Sequence, residues 1–341
     1  MIFKSFWIII ISTIFSCLFK ENLILCQLIF FLDLFLLYKY SLKNLIRGKM
    51  SHTLKAQSIF AGYLFAIGAT AIWSGNFVLA RGLNDSIPPI SLAFYRWVVA
   101  VIFFAPFAIK TFVQEWPIIK KHIVYFSVTS FLGITTFNTL LYFAGHTTTA
   151  MNLSLIAITF PIFILLISRI LYKEIITIRR GVGITLVLTG VLVLITKGKI
   201  LSLLSISFNI GDVWMLLASM IFAVYSIFLK NRPEGVSIIA LQFSTFILGL
   251  IFLFPFFLWE QSSVHQSFLN QSTIPAILYA GIFASLCAFV LWNKAIVVLG
   301  PSKAGMVYYI LPLFSGFLGY LFLHESISMI HLYSMMLIFS G

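Results

Sequence analysis

The side chains best suited to handling a polar solute lie inside apolar stretches of this chain. Thr135, Asn138, Thr139, Tyr142 and His146 follow one another at steps of three or four, a spacing that puts them on one face of a helix. Trp73 and Asn76 do the same upstream, while Asn152, Thr159, Gln242, Thr245, Ser285, Trp292, Tyr308 and Ser315 add polar or amphipathic groups elsewhere. Hydroxyls, amides, phenols and indoles bind by hydrogen bonding and stacking, and make no covalent bonds at ordinary reactivity. The alternative role for such groups is to tie helix to helix, worth about 0.6 kcal/mol each on average in lipid. Covalent or metal chemistry finds no foothold. The six histidines are scattered, three of them (His122, His146, His324) near the ends of apolar stretches, without His/Asp pairing or metal-ligand spacing. Cys17, Cys26 and Cys287 form no paired motif. The expectation is therefore no catalytic residue, no cofactor and no metal.

Charged residues narrow the choice further. Arg96 is the one clear cation inside an apolar stretch, a costly placement. It can meet a substrate carboxylate, or it can snorkel to the interface or hold neighbouring carbonyls. No Asp or Glu sits in the middle of a stretch, which favours a facilitator or weakly coupled exchanger over a carboxylate-driven pump. Glu174 and Glu325 fall just past two stretches and just before the next, where a carboxylate favours a helix N-terminus. Asp212 reads as a helix-start residue. Pro161 and Pro312 interrupt their stretches and remove one backbone donor each, predicting either a hinge or a static kink at both points.

The elements that must position these residues are membrane helices. Of the 341 residues 61% are hydrophobic and only 9% charged, and the mean hydropathy is +1.08. A soluble domain carries nearer a quarter charged residues and could not hide this much apolar surface in one core. Ten apolar stretches follow residue 57, at 58–80, 90–111, 122–144, 147–172, 181–196, 211–230, 237–259, 274–296, 301–323 and 328–341. A span takes roughly 20 apolar residues, and in lipid each must be helical because nothing else satisfies its backbone. The net charge of +13 argues for basic cytoplasmic loops, not for nucleic acid. One set of connections carries Lys110, Lys120, Lys121, Arg169, Lys173, Arg179, Arg180, Lys230, Arg232, Lys294 and Lys303, the other only Arg81, Lys197 and Lys199. That bias, with Arg47, Lys49 and Lys55 before the first span, predicts a cytoplasmic N-terminus.

The chain repeats itself. Phe160-Pro161-Ile162 through Lys173-Glu174 resembles Leu311-Pro312-Leu313 through His324-Glu325, with proline and glutamate both recurring at an offset of 151 (312 − 161 and 325 − 174). Thr189-Gly190 and Ser340-Gly341 keep the same register. Two halves of five spans follow, and an odd number sets them upside down relative to each other.

The two ends depart from this pattern. Residues 1–49 contain no Ala, Val or Pro and only Gly48, and are rich in residues that A/T-rich codons would supply. They read as a doubtful hydrophobic leader ahead of a natural start at Met50, the alternative being extra helices near 5–19 and 23–39. By the 151 offset, Ile195 corresponds to position 346, so the last helix reads as clipped.

Several motifs are similar to one known family. Ala71-Ile72-Trp73-Ser74-Gly75-Asn76-Phe77, Ile87-Pro88-Pro89, Phe94-Tyr95-Arg96-Trp97 and Asn138-Thr139-Leu140-Leu141-Tyr142 resemble the first half of an EamA-type transporter of the drug/metabolite transporter superfamily. Gly211-Asp212-Val213-Trp214, Leu291-Trp292-Asn293-Lys294-Ala295 and Pro312 to Glu325 resemble its second half. The resemblance covers 58–341 and implies an all-α polytopic membrane protein of ten helices in two inverted five-helix repeats, 58–196 and 211–341, around a central cavity. It further implies a secondary transporter, in the exporting direction, of small metabolites such as amino acids across a bacterial plasma (inner) membrane by alternating access. Nucleotide-sugar or drug export in the same superfamily is the neighbouring alternative, and a membrane-embedded transferase a remote one. The expected partners are a small-molecule substrate and the lipid bilayer, with no nucleic acid; the sequence is silent on oligomeric state. The expected solute-binding residues are Trp73, Asn76, Thr135, Asn138, Thr139, Tyr142, Asn152, Trp292 and Tyr308, with Pro161 and Pro312 as hinges.

Overall fold

The computed structural model describes residues 52–173, 177–195, 209–263, 268–271 and 273–340. The leader at 1–49, Glu174 and the final Gly341 lie outside the described residues. Among the described residues ten helical units follow in chain order. Helix α1 is His52–Gly82, α2 is Pro89–Lys121 and α3 is Ile123–Gly145. Helix α4 runs in two segments, Ala150–Ala157 and Phe160–Tyr172, and α5 is Ile178–Ile195. Helix α6 is Ile210–Lys230, α7 is Ile238–Ser263 and α8 is Thr273–Leu299. Helix α9 again has two segments, Pro301–Tyr308 and Leu311–Leu323, and α10 is Met329–Ser340. Eight of these are long and apolar enough to cross a bilayer, while α5 and α10 contribute shorter apolar stretches at 181–193 and 329–340. The fold is all-α and polytopic. Its outer surface carries side chains such as Ile102, Phe103, Phe107, Val124, Ile170 and Trp259, which water would not tolerate in such number and lipid does.

Inverted symmetry is visible in which helices touch. The largest interfaces pair α2 with α7, α1 with α8, α3 with α6, α5 with α10, α3 with α7, α2 with α8, α1 with α9 and α6 with α4. Adding five to the helix number turns this set into itself. Close approach is bought by small residues: at Gly190 of α5 an added Cβ would sit 2.9 Å from the Ser334 carbonyl oxygen of α10.

The breaks in α4 and α9 obey the same register. Ala157 and Phe160 flank the first break, Tyr308 and Leu311 the second, and both pairs differ by 151. Pro161 and Pro312 are each the second residue of the new segment, where a missing N–H is harmless. They leave the Ala157 and Tyr308 carbonyls without the donor an unbroken helix would supply. The two broken helices meet: a Cβ on Gly305 would lie 3.5 Å from the Pro161 ring, and one on Gly316 would lie 2.8 Å from the Met151 sulfur. Each second segment ends on a residue in left-handed conformation, Lys173 (φ 55°) and His324 (φ 52°), again 151 apart. Both halves also carry wide turns: Phe131–Thr136 of α3 and Tyr279–Cys287 of α8 are π-helical, and they end 151 residues apart. In both, a side chain reaches back five residues: Asn138 Nδ2 donates to the Gly133 carbonyl at 3.0 Å, and Ser285 Oγ to the Ala280 carbonyl at 2.8 Å.

Carboxylates join the halves end to end. Glu260, near the end of α7, accepts from the Ile90 N–H at 3.1 Å, the Ser91 N–H at 2.6 Å and the Ser91 hydroxyl at 2.7 Å, satisfying the first turn of α2. Glu115, near the end of α2, accepts from the Ser237 N–H at 2.8 Å just ahead of α7. The two antiparallel helices cap each other. Glu325, past α9, accepts from the Ala150 and Met151 N–H groups at 2.9 and 3.3 Å and so caps α4, a helix of the other half.

Candidate solute site between the halves

The middle of the protein is lined with aromatic rings. Trp73 of α1 lies 5.7 Å from Phe222 of α6, 5.3 Å from Trp292 of α8 and 6.0 Å from Tyr308 of α9, centroid to centroid. Phe160 of α4 stands edge-on to Tyr308 at 4.7 Å, and Phe137 of α3 stacks on Phe222 at 4.5 Å. These residues come from both halves. Beside them is a narrow cavity walled by Trp73, Asn76, Phe77, Phe137, Asn138, Leu141, Phe222 and Tyr308, with room for about one water molecule.

Of the residues expected from the sequence, Trp73, Asn76, Asn138 and Tyr308 line this cavity. Trp292 packs against Trp73 and Tyr308, and its buried Nε1–H has no hydrogen-bond partner. Tyr142 stands one step behind the wall, donating its hydroxyl proton to Asn76 Oδ1 at 2.9 Å. Thr135, Thr139 and Asn152 are elsewhere. Thr135 donates to the Gly249 carbonyl of α7 at 2.9 Å, and Thr139 donates back to the Thr135 carbonyl at 2.6 Å. Asn152 sits in the first turn of α4, its N–H held by the Thr149 hydroxyl at 3.1 Å. The π turn at 131–136 accounts for the split: an added residue per turn rotates Thr135 away from the line that steps of three and four predict. His146 falls in the loop after α3, where burial holds its imidazole below the usual histidine range while Asp85 and Glu260 pull it upward.

Two wall residues, Phe137 and Phe222, carry no sequence signal that separates them from lipid-facing ones, in a chain with 37 Phe, while Phe77 and Leu141 lie in family-like motifs but were not singled out. Glu115 and Glu260 were also missed. The apolar stretches end at 111 and 259, but the helices run on to Lys121 and Ser263 and carry these carboxylates with them.

Arg96 does not snorkel. It is 0% exposed and joins three helices: Nε donates to Ser285 Oγ at 2.7 Å, and Nη1 to the Tyr142 oxygen at 2.7 Å and to Asn76 Oδ1 at 3.3 Å. Its guanidinium lies 5.0 Å from the Trp97 ring and 5.6 Å from the Tyr142 ring. Nη2 makes no hydrogen bond. Among the described residues no group of three or more His, Cys, Asp or Glu could hold a metal ion.

Aromatic rings and amide groups from both halves converge on this cavity, and among its lining residues there is no nucleophile–base pair. A protein from Archaeoglobus fulgidus described as an uncharacterized transporter is 30% identical over 266 residues, 74% of this chain and 86% of its own. The uncharacterized transporter YyaM of Bacillus subtilis is 24% identical over 73% of this chain and 82% of its own. A solved crystal structure of 17% identity superimposes with a TM-score of 0.61, covering 82% of this chain and 95% of that one, which speaks to fold alone. The pattern of the EamA-like transporter family matches twice, over residues 60–196 and 209–341. The chain belongs to the EamA-like transporter family, and it is an integral membrane protein built for transport.

Proposed function

We propose that this transporter is a secondary carrier of small organic metabolites, amino acids foremost, and that it works as an exporter by alternating access. The observation that carries this reading is the aromatic cavity at the junction of the inverted halves, where Trp73, Asn76, Asn138 and Tyr308 come together from α1, α3 and α9. A site at the junction of inverted repeats can be offered to either membrane face by rocking one half against the other. In this reading residues 58–196 and 211–341 are the two moving repeats, Trp73, Asn76, Asn138, Tyr142, Trp292 and Tyr308 hold the solute, and Thr135, Thr139 and Asn152 support the helices around it. The outward direction and the bacterial plasma membrane rest on family resemblance, and the cytoplasmic N-terminus on the lysine and arginine bias of the loops.

The test is flux. Purified protein in proteoliposomes is expected to accumulate radiolabelled amino acids in counterflow, and Trp73→Ala to reduce this roughly tenfold or more by removing the ring at the centre of the cluster. No uptake above protein-free vesicles across a panel of amino acids, other organic acids and amines sinks the proposal, and uptake confined to nucleotide sugars or drugs redirects it.

The paired breaks in α4 and α9 are proposed as hinges. Pro161→Ala with Pro312→Ala restores both missing N–H donors and lets each helix close into a continuous one. Transport is expected to slow severalfold in the double variant while solute binding is retained. Unchanged rates assign the prolines to static kinks.

A further inference from the structure

We propose that Arg96 is the anion-binding residue of this carrier, and that its solutes are small carboxylates, α-amino acids among them. The proposal rests on the reading of the cavity as the solute site and names the chemistry of what enters it.

A guanidinium presents five N–H donors and can hardly lose its charge. One that serves only to tie helices together is expected to have all its donors matched, because a buried charge left short of partners costs several kcal/mol. Arg96 does not meet that expectation. Its three bonds go to neutral oxygens of Ser285, Tyr142 and Asn76, and Nη2 has no partner though it is buried. No carboxylate is among its hydrogen-bond partners. The two Nη2 donors are left for an anion to take.

The position of the guanidinium says where that anion would come from. Asn76 both lines the cavity and accepts from Arg96, so the charge stands directly behind the wall. The Asn76 contact, at 3.3 Å, is the longest of the three and the one most easily exchanged. A carboxylate taking its place can bridge Nη1 and Nη2 in the bidentate manner that suits a guanidinium. Other lining groups suit a cation. Asn138 spends its Nδ2 on the Gly133 and Ile134 carbonyls, leaving Oδ1 as its acceptor, and the rings of Trp73, Phe222 and Tyr308 line the same cavity. A zwitterion with one end at Arg96 and the other against Asn138 and the rings satisfies both once the halves part to admit it, since the closed cavity holds about one water molecule.

The experiment uses matched probes that differ only in the carboxylate: L-phenylalanine with phenethylamine, and L-leucine with isopentylamine. Binding to the purified full-length protein is read by quenching of tryptophan fluorescence, since Trp73 lies in the wall and Trp97 beneath the guanidinium, and transport is read separately in proteoliposomes. The wild type is expected to bind the carboxylate member of each pair roughly tenfold or more tightly. Arg96→Gln is expected to abolish that preference while amine binding stays within about twofold, and Arg96→Lys to restore part of it. A wild type with no preference for the carboxylate overturns the proposal, even if Arg96→Gln fails to fold. So does a parallel loss of both probes in Arg96→Gln and Arg96→Lys, which is the signature of a purely structural arginine. Carboxylate-selective binding without flux leaves Arg96 assigned and overturns the carrier reading instead.

Discussion

Replacing Glu260 with alanine is expected to destabilise the protein by about 3 kcal/mol, the largest single-residue loss outside the cavity. The carboxylate is only 9% exposed and takes three hydrogen bonds from the first turn of α2, two from backbone N–H groups and one from the Ser91 hydroxyl. Bonds to a charged acceptor contribute about 1.5–3 kcal/mol each, and removing the acceptor strands the donors at a buried helix end. Glu260→Gln retains one carbonyl oxygen and is expected to cost about half as much, while Ser91→Ala loses the bond its hydroxyl donates to Glu260 and the one it accepts from Gln261 Nε2, at about 1–2 kcal/mol. Glu115→Ala should cost less than Glu260→Ala, because Glu115 receives one backbone N–H, that of Ser237, at 2.8 Å. The measurement is equilibrium unfolding in mixed micelles of detergent and SDS. Glu260→Ala within 0.5 kcal/mol or so of wild type would show that water or neighbouring groups replace the cap.

Gly145→Ala is expected to be the most damaging one-carbon addition. The new Cβ would run into the carbonyl carbon and oxygen of Ala80, so the obstruction is backbone and cannot rotate away. Helices α1 and α3 must move apart, at a typical overpacking cost of about 1–3 kcal/mol. The functional loss should exceed the loss of stability. The 2.9 Å bond from Tyr142 to Asn76 crosses the same interface a turn away, and with it goes the wall that faces the solute. Gly181→Ala is the control: it adds a methyl where nothing lies within 4 Å, in a helix where alanine is favoured by roughly 0.5–1 kcal/mol. Folded Gly145→Ala protein with wild-type transport would show that the α1–α3 spacing does not set the site.

What the sequence made legible follows from how a repeat constrains a chain. The prolines at 161 and 312 carry an offset that also locates both helix breaks, the left-handed turns at Lys173 and His324, and the capping glutamate at 325. Trp73, Asn76, Asn138 and Tyr308 were legible because a polar or amphipathic group inside an apolar run needs a reason. Phe222 and Phe137 were not, since lipid and an aromatic cavity select the same side chain. Thr135 misled for a different reason: a π turn leaves no mark in amino-acid type, and one such turn rotates everything before it relative to Asn138. Glu115 and Glu260 escaped because hydropathy marks where lipid ends, while the helices, and their caps, continue beyond it.

The exchanged caps bear on ancestry. Glutamates of one half finish helices of the other: α2 is met by a glutamate of the second half, α7 by a glutamate of the first, and α4 by one from beyond α9. A solitary five-helix forebear would gain such contacts by meeting a second copy inserted the other way up, which requires a chain able to enter the bilayer in both senses. Fusing two copies would have removed that requirement and left each free to accumulate its own positive loops.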